Sequence, residues 1–355
     1  MTAQADLHVA VVVDSDAFGG AEVYARRLLR HLPAWCRRSL VVSEPVARHF
    51  GEPGLVDHLV VVDLHRHRDR APAVAEALAA LDPDVVHVHL VDPASNLAVL
   101  TAAVGVAPTV TTLHLQGTPP ESAFPAVDYA IAPSATIAEQ LRDLGVPEEW
   151  VVRVRHGIEI PDAPVEVVDR TPVTIGTVAR LTEQKGLDLL IDAVRELHDE
   201  DRALRLVIGG DGRDRKTLQE KATGLPVTFL GHCDDVPGLL RTLDVFCLPS
   251  RREALSLALL EAVAHGLPCV SADVGDTREA LDGAVLIVPV DDRPALVVAL
   301  RRLLDDVELR RTLGATARLR AEADLDVTLM AERTAEVLRR AAFSRAARRL
   351  GSVHA

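Results

Sequence analysis

Short apolar runs, each followed by a segment of helical period, recur along nearly the whole chain. This alternation constrains the fold more than any other feature of the sequence. Candidate strands in the first part lie at 7–13, 39–42, 59–63, 85–89, 109–112, 129–132 and 151–154, with helical patterns at 21–32, 71–81, 94–104 and 136–144. Regular βα alternation predicts a parallel sheet covered on both faces. After His156-Gly157 the pattern lapses, and the Pro-bearing segment 161–172 reads as a linker. The alternation then restarts. Strands are expected at 173–178, 204–208, 227–230, 245–248, 269–272 and 285–288, with helices between them. Helices at 294–304 and 308–323 and an Arg/Ala-rich one from about Val327 close the chain. The expectation is an α/β protein of two doubly wound, Rossmann-like domains, 1–160 and 173–326, facing each other across a cleft. Ligands belong at the C-terminal ends of the strands.

Composition bounds the function. At 355 residues, the chain suits two domains of roughly 100–200 residues each. The net charge of −13 argues against nucleic acid, which needs a basic footprint. Arg26, Arg27 and Arg30, and Arg339, Arg340, Arg345, Arg348 and Arg349, read as solvated helix faces rather than lipid anchors. No apolar run approaches the ~18 residues of a membrane span, and the run 7–13 ends at Asp14, so no stable membrane insertion and a cytoplasmic location are expected. Cys36, Cys233, Cys247 and Cys269 lack metal or redox spacing and read as buried free thiols. Arginine far outnumbers the three lysines, which points to a GC-rich, bacterial source. Aromatics make up 3% of the chain, too few for a polysaccharide platform, and a small acceptor is favoured.

The stretch 247–268 carries the strongest chemical signal. It runs from an apolar strand through Pro249 and Ser250 into a helix that stops before Gly266-Leu267-Pro268. Ser256 is the expected N-cap, with Leu257, Leu260 and Ala264 as the buried face. A helix N-terminus after a strand and tight turn presents free N–H groups to a phosphate. Glu261 would sit roughly 7–8 Å further along the axis at ~1.5 Å per residue. A diphosphate at the helix mouth would leave its ribose near Glu261 and its far substituent near Glu253. The plain alternative is a solvent-facing glutamate pair.

Other motifs support a nucleotide site. Arg180 and Lys185 place two cations on one loop after a strand, a fork and a point charge suited to a diphosphate. Gly19-Gly20 opens a helix after the first strand and permits close backbone approach, or makes an ordinary turn. His114 follows a strand and is expected to face the cleft. Gly209-Gly210-Asp211-Gly212 reads mainly as a turn. Glu44, past the second strand, keeps an NAD-linked oxidoreductase as a distant alternative. No Asp-x-Asp pair ends a strand, since Asp82 and Asp84 precede one, and no metal site is expected.

Glu253, seven residues, Glu261, then Ala262-x-Ala264-x-Gly266-x-Pro268, is similar to the C-terminal signature of the retaining glycosyltransferases of family 4, which have the GT-B fold. Gly176-x-x-x-Arg180-Leu181-x-x-x-Lys185-Gly186 resembles a second motif of that family. The resemblance implies transfer of a hexose-type sugar from a nucleotide diphosphate sugar, UDP or GDP, to a small hydroxyl acceptor, with no cofactor and no metal. It implies catalytic roles for Glu253, Arg180, Lys185 and His114. Arg180 and Lys185 would hold the diphosphate, Glu253 the sugar hydroxyls, and His114 would approach the sugar near C6. Donor binding would fall to Gly19, Gly20, Ser256, Leu257, Glu261 and the backbone at Gly231. The last helix, 327–355, would pack back on the N-terminal domain. Two departures stand out: Ala254 and Gly275-Asp276 occupy places where the family often has Gly, and Asp276 puts a charge near the expected sugar pocket. The rival readings are a GT-B nucleotide-sugar epimerase and a noncatalytic sugar-nucleotide-binding protein.

Overall fold

The computed structural model describes residues 7–62 and 70–351, with side chains through Ser344. Asp63, expected to end a strand, lies outside the described residues, as do the side chains of Arg345, Arg348 and Arg349. The chain divides into two compact units.

The first unit takes the described residues up to Gly157 together with those from Val327 onward. Its strands are β1 (Leu7–Val13), β2 (Cys36–Ser43), β3 (His58–Val62), β4 (Val85–Leu90), β5 (Thr109–Leu113), β6 (Tyr129–Ala132) and β7 (Val151–Arg153). Among the described residues they form a parallel sheet in the order β3-β2-β1-β4-β5-β6-β7. Every residue of β1 is buried, as a central strand covered on both faces requires. The helix Val327–Gly351 lies against the helix Gly20–His31 and against β4, β5 and β6. Its Val327, Ala331, Ala335 and Leu338 recur at helical spacing and join Tyr24, Leu28 and Val9 in one core. The Gly157 N–H donates to the Met330 sulfur at 3.0 Å.

The second unit runs from Ile158 to Asp326. Its strands are β8 (Val173–Val178), β9 (Leu204–Gly209), β10 (Val227–Gly231), β11 (Val245–Leu248), β12 (Cys269–Ala272) and β13 (Leu286–Val288). They are parallel, in the order β10-β9-β8-β11-β12-β13. The chain moves outward from β8 to β10, then returns to the other side of β8 with β11. The crevice at this reversal is where doubly wound sheets hold ligands.

Residues 161–172 lie on the second unit. The Val165 N–H donates to the His265 carbonyl at 2.6 Å, Arg318 donates to the Pro161 carbonyl at 2.6 Å, and Arg170 pairs with Asp244 at 2.6 Å. Without a ladder of its own, the segment satisfies backbone groups against neighbouring elements. Helices at Glu44–Ala47 and Thr277–Leu281 are too short to leave a period in the sequence. The helix Leu257–Ala264 buries Leu260 and Ala264 as expected but not Leu257. Leu259, Leu260, Ala262, Val263 and Ala264 are buried, whereas Leu257 is half-buried on the same face as Glu261, one turn on.

Candidate functional site

Three loops meet at the C-terminal ends of β8, β11 and β12, and backbone contacts lock them together. The loop after β8 ends in a 3₁₀ turn, Glu183–Lys185, followed by Gly186 at φ +62°. A Cβ at Gly186 would lie 2.0 Å from the Pro249 carbonyl oxygen, so only glycine permits this approach. Beside it, the Arg251 N–H donates to the Gln184 carbonyl and the Gln184 amide donates to the Arg252 carbonyl, both at 2.8 Å. Gly275, at φ +51°, closes on the same loop from the other side: its Cβ would fall 2.0 Å from the Ala254 oxygen. The Asp276 N–H donates to that oxygen at 2.8 Å, and Asp276 itself is buried. The turn at 209–212 packs into the group as well, with the Leu181 N–H donating to the Asp211 carbonyl at 2.9 Å.

Arg251 pins the assembly. Its guanidinium donates to Asp188 through both terminal nitrogens at 2.8 and 2.7 Å, to Asp291 at 2.7 Å and to the Glu183 carbonyl at 2.7 Å. Hydrogen bonding by Arg251 holds the Asp188 carboxyl below its usual range, and the same bond raises Arg251. A bidentate Arg–carboxylate pair is directional enough to fix a loop. Nothing in the spacing of Arg251, Asp188 and Asp291 announces them as partners in the sequence.

Within this frame Lys185 and Glu253 meet. Lys185 Nζ lies 2.5 Å from Glu253 Oε1, and the Ser250 hydroxyl donates to the same oxygen at 3.0 Å. The side chains are 15% and 8% exposed, so the pair is partly shielded from water. Arg180, on the same loop as Lys185, is exposed, and its guanidinium makes no hydrogen bond or ion pair among the described residues. Ser256 occupies the N-cap position of the helix Leu257–Ala264, but its buried side chain makes no capping bond. The first intrahelical bond is from the Leu260 N–H to the Ser256 carbonyl, so the preceding N–H groups, Leu257 included, have no intrahelical acceptor. Glu261 is half-buried one turn on. Gly231 ends β10, two strands from β8, and accepts a bond from the Gly210 N–H at 2.6 Å.

Gly19, Gly20 and His114 belong to the first unit. Gly19 and Gly20 open the helix Gly20–His31 and are exposed, with the Gly19 N–H held by the Glu22 carboxylate at 2.7 Å. Nearby, Arg70 pairs with Asp14 at 2.6 Å and Asp16 at 2.8 Å, past the end of β1, and burial pushes the Asp14 carboxyl up. The sequence reading missed this cluster.

His114 is 4% exposed and sits in a stack of buried rings rather than standing free. His89 Nδ1 lies 3.0 Å from His114 Nε2, with ring centroids 5.3 Å apart and planes 14° from parallel. Tyr24 meets His114 edge-on at 4.9 Å, and His156 lies 6.0 Å away. His87 lies 4.3 Å from His89 and shares a hydrogen bond with the Thr112 hydroxyl at 2.7 Å. Burial holds the imidazoles neutral: His87 falls to about 3, His156 to about 4, and His89 and His114 lie well below their ordinary value. Burial also pushes the Tyr24 hydroxyl up to about 12. His87-x-His89 on a strand was a legible signal, since alternate residues share a face.

Among the described residues no group of three or more His, Cys, Asp or Glu has the geometry to hold a metal ion. No helix among them is long and apolar enough to cross a membrane. All four cysteines are free, with Cys233 only half-buried, because it lies in the loop after β10.

Comparison with known proteins places this geometry. The sequence profile of glycosyl transferases group 1 matches residues 172–306, and that of Glycosyltransferase Family 4 matches residues 18–160. The chain belongs to glycosyltransferase family 4. It is 34% identical over 182 residues to a GDP-mannose-dependent monoacylated alpha-(1-6)-phosphatidylinositol monomannoside mannosyltransferase of Corynebacterium glutamicum, covering 48% of each chain. It is 31% identical over 199 residues to the alpha-D-kanosaminyltransferase of Streptomyces kanamyceticus, covering 50% of this chain and 51% of that one. The matches thus span about half the length of these curated relatives. Among solved structures, a Rickettsia africae glycosyltransferase superposes with a TM-score of 0.79 at 14% identity, over 95% of this chain and 98% of its own. Anabaena Alr3699/HepE, solved in complex with UDP, gives 0.78 at 18% identity, over 94% and 99%. At such identities the likeness speaks to fold, and the fold of this family 4 chain is GT-B.

Proposed function

We propose that this family 4 protein is a retaining, metal-independent glycosyltransferase that moves a hexose-type sugar from a UDP- or GDP-sugar to a small hydroxyl acceptor in the cytoplasm. The observation that carries the reading is the Lys185–Glu253 pair, held by Ser250 in the loop that leads into the helix Leu257–Ala264. A cation, a carboxylate and free helix N–H groups together suit a donor that is anionic at one end and rich in hydroxyls at the other. Lys185, the unpaired Arg180 and the helix N-terminus stabilise charge that develops on the leaving diphosphate. Glu253 binds sugar hydroxyls, Glu261 the ribose, and the Gly231 backbone lies toward the base. His114, Gly19 and Gly20 are further candidate residues for donor binding. The acceptor enters on the leaving-group face, with a donor phosphate oxygen as base. The GDP-mannose dependence of the corynebacterial relative and the UDP bound by the Anabaena protein support the two nucleotides.

The test is turnover of UDP- and GDP-hexoses over a panel of small hydroxyl acceptors, with the anomeric configuration of the product read by NMR. Nucleotide diphosphate release should require acceptor, retain configuration and survive excess EDTA, because protein cations already occupy the role of Mg²⁺. Activity lost to EDTA and restored by Mn²⁺ overturns metal independence. Sugar conversion without acceptor would instead mark an epimerase.

The two glutamates should separate kinetically. Ribose changes little between ground and transition state, whereas the transferred sugar flattens toward an oxocarbenium ion. Glu261→Gln is expected mainly to raise donor KM, and Glu253→Gln mainly to lower kcat. Titration with free nucleoside diphosphate checks the orientation: Glu261→Gln should bind it more weakly than wild type does. If only Glu253→Gln weakens it, the nucleotide lies the other way round.

A further inference from the structure

We propose that His89 is a positioning residue that holds His114 as the Nδ1–H tautomer, so that His114 presents a hydrogen-bond donor to an oxygen of the donor sugar. The proposal rests on the reading that His114 contacts that sugar. Both rings are buried and neutral, so a single proton lies between His89 Nδ1 and His114 Nε2 across their 3.0 Å separation. Two arrangements satisfy that bond, and they differ in where the unused N–H is left. If His114 donates, its own Nδ1 is a bare acceptor and the spare proton sits on His89 Nε2. Among the described residues His89 Nε2 has no partner: besides His114, the rings beside His89 are those of His87 and Tyr24, and the hydrogen bond of His87 goes to Thr112 instead. That arrangement keeps a buried N–H orphaned whether or not substrate is bound. If His89 donates, its Nε2 is only an unfilled acceptor, and the spare N–H lies on His114 Nδ1, which also lacks a partner among the described residues. A buried N–H without a partner is rarer and costlier than an unfilled acceptor. The second arrangement leaves that donor at the residue that meets substrate, where binding completes it.

The near-parallel stacking of the two rings and the Tyr24 edge on His114 fix the ring plane through which the bond acts. The groups facing the pair are His87, His156 and Tyr24, with Arg27 acting on His156. None of these is an anion, so among the described residues nothing facing the pair favours a doubly protonated His114.

Two variants of similar branching separate the hydrogen bond from packing. His89→Asn keeps an N–H near the position of Nδ1, and His89→Leu removes it. Histidine ¹⁵N NMR of the full chain should report the Nδ1–H tautomer of His114 in the wild type and in His89→Asn. In His89→Leu the resonances should move toward the Nε2–H tautomer. With donor and acceptor supplied, kcat should fall about tenfold in His89→Leu, the size of one lost hydrogen bond, and stay within a few-fold of wild type in His89→Asn. An Nε2–H tautomer in the wild type, or an unmoved tautomer in His89→Leu, overturns the proposal. If His89→Leu does not fold, the wild-type and His89→Asn spectra decide alone. His114→Ala tests the underlying reading separately: unchanged turnover would remove His114 from the site while leaving the tautomer assignment standing.

Discussion

Lys185→Ala is expected to lower kcat/KM by about 10²–10³, the usual loss on removing one preorganised stabiliser of transition-state charge. The structure adds a second contribution. Lys185 neutralises Glu253, which also accepts a hydrogen bond from the Ser250 hydroxyl. Deleting the ammonium therefore leaves an unpaired, mostly shielded carboxylate beside the place proposed for the diphosphate. Free UDP or GDP should bind Lys185→Ala worse than loss of one cation alone would give. The double variant Lys185→Ala/Glu253→Gln should recover part of that binding, because the repulsion is gone, although kcat stays low. Residues in direct contact are where such non-additivity arises. Strictly additive effects would show that the pair does not act as a unit, and unchanged turnover in Lys185→Ala would remove the lysine from the chemistry. The fold should survive, since Lys185 ends a 3₁₀ turn fixed by backbone contacts to Pro249, Arg251 and Arg252.

Much of this was legible because parallel sheets write themselves into local sequence. β1, β6, β8, β11 and β12 fall at their expected bounds, each a short apolar run between turn signals. The helix that follows β11 was also anticipated, along with its Ser256 N-cap position. Of its expected buried face, Leu260 and Ala264 are buried and Leu257 is not, because a helix covered nearly all round has little polar side to set the phase. The Lys185–Glu253 contact joins residues far apart in sequence, and only the β8–β11 adjacency brings them together. Arg251 shows the same limit more sharply. Its partners Asp188 and Asp291 come from elements on either side of it in sequence, and no local pattern marks a three-way tie. In the first unit, His114 was picked out as a single residue after a strand. Its environment depends on β4 lying next to β5, which sets His89 against it. Pairing between strands is non-local information, and a chain read in order does not contain it in explicit form.

The four clustered histidines, His87, His89, His114 and His156, also predict how the first unit responds to acid. In the unfolded chain each imidazole takes a proton near pH 6.5. In the native protein His87 and His156 resist protonation until about pH 3 and 4, and His89 and His114 are likewise held well below their ordinary value. Between those limits the unfolded state binds more protons, so stability rises with pH and falls as pH is lowered through 6.5. Each group contributes a slope of up to ~1.4 kcal/mol per pH unit, and four together approach ~5 kcal/mol per unit. Against a typical total of ~5–15 kcal/mol, such a loss should leave the unit markedly less stable near pH 5 than at pH 7. The paired carboxylates Glu52, Asp188, Glu200 and Asp211 have lowered values, so their contribution is lost at lower pH than the onset of the imidazole loss near 6.5. His8, also lowered, adds to the loss in the same unit, and His265 does so in the other. Both tryptophans of the chain, Trp35 and Trp150, lie in the first unit, so their fluorescence follows its urea unfolding specifically. The midpoint should be steady above pH 7 and drop steeply from pH 6.5 to 4.5. His156→Phe removes a ring whose two nitrogens have no partner among the described residues. It should flatten that slope by about one proton's worth and leave the variant more stable than wild type at pH 5. A level wild-type profile down to pH 5 would mean that the imidazoles protonate in place, and an unaltered slope in His156→Phe would assign the loss to other groups.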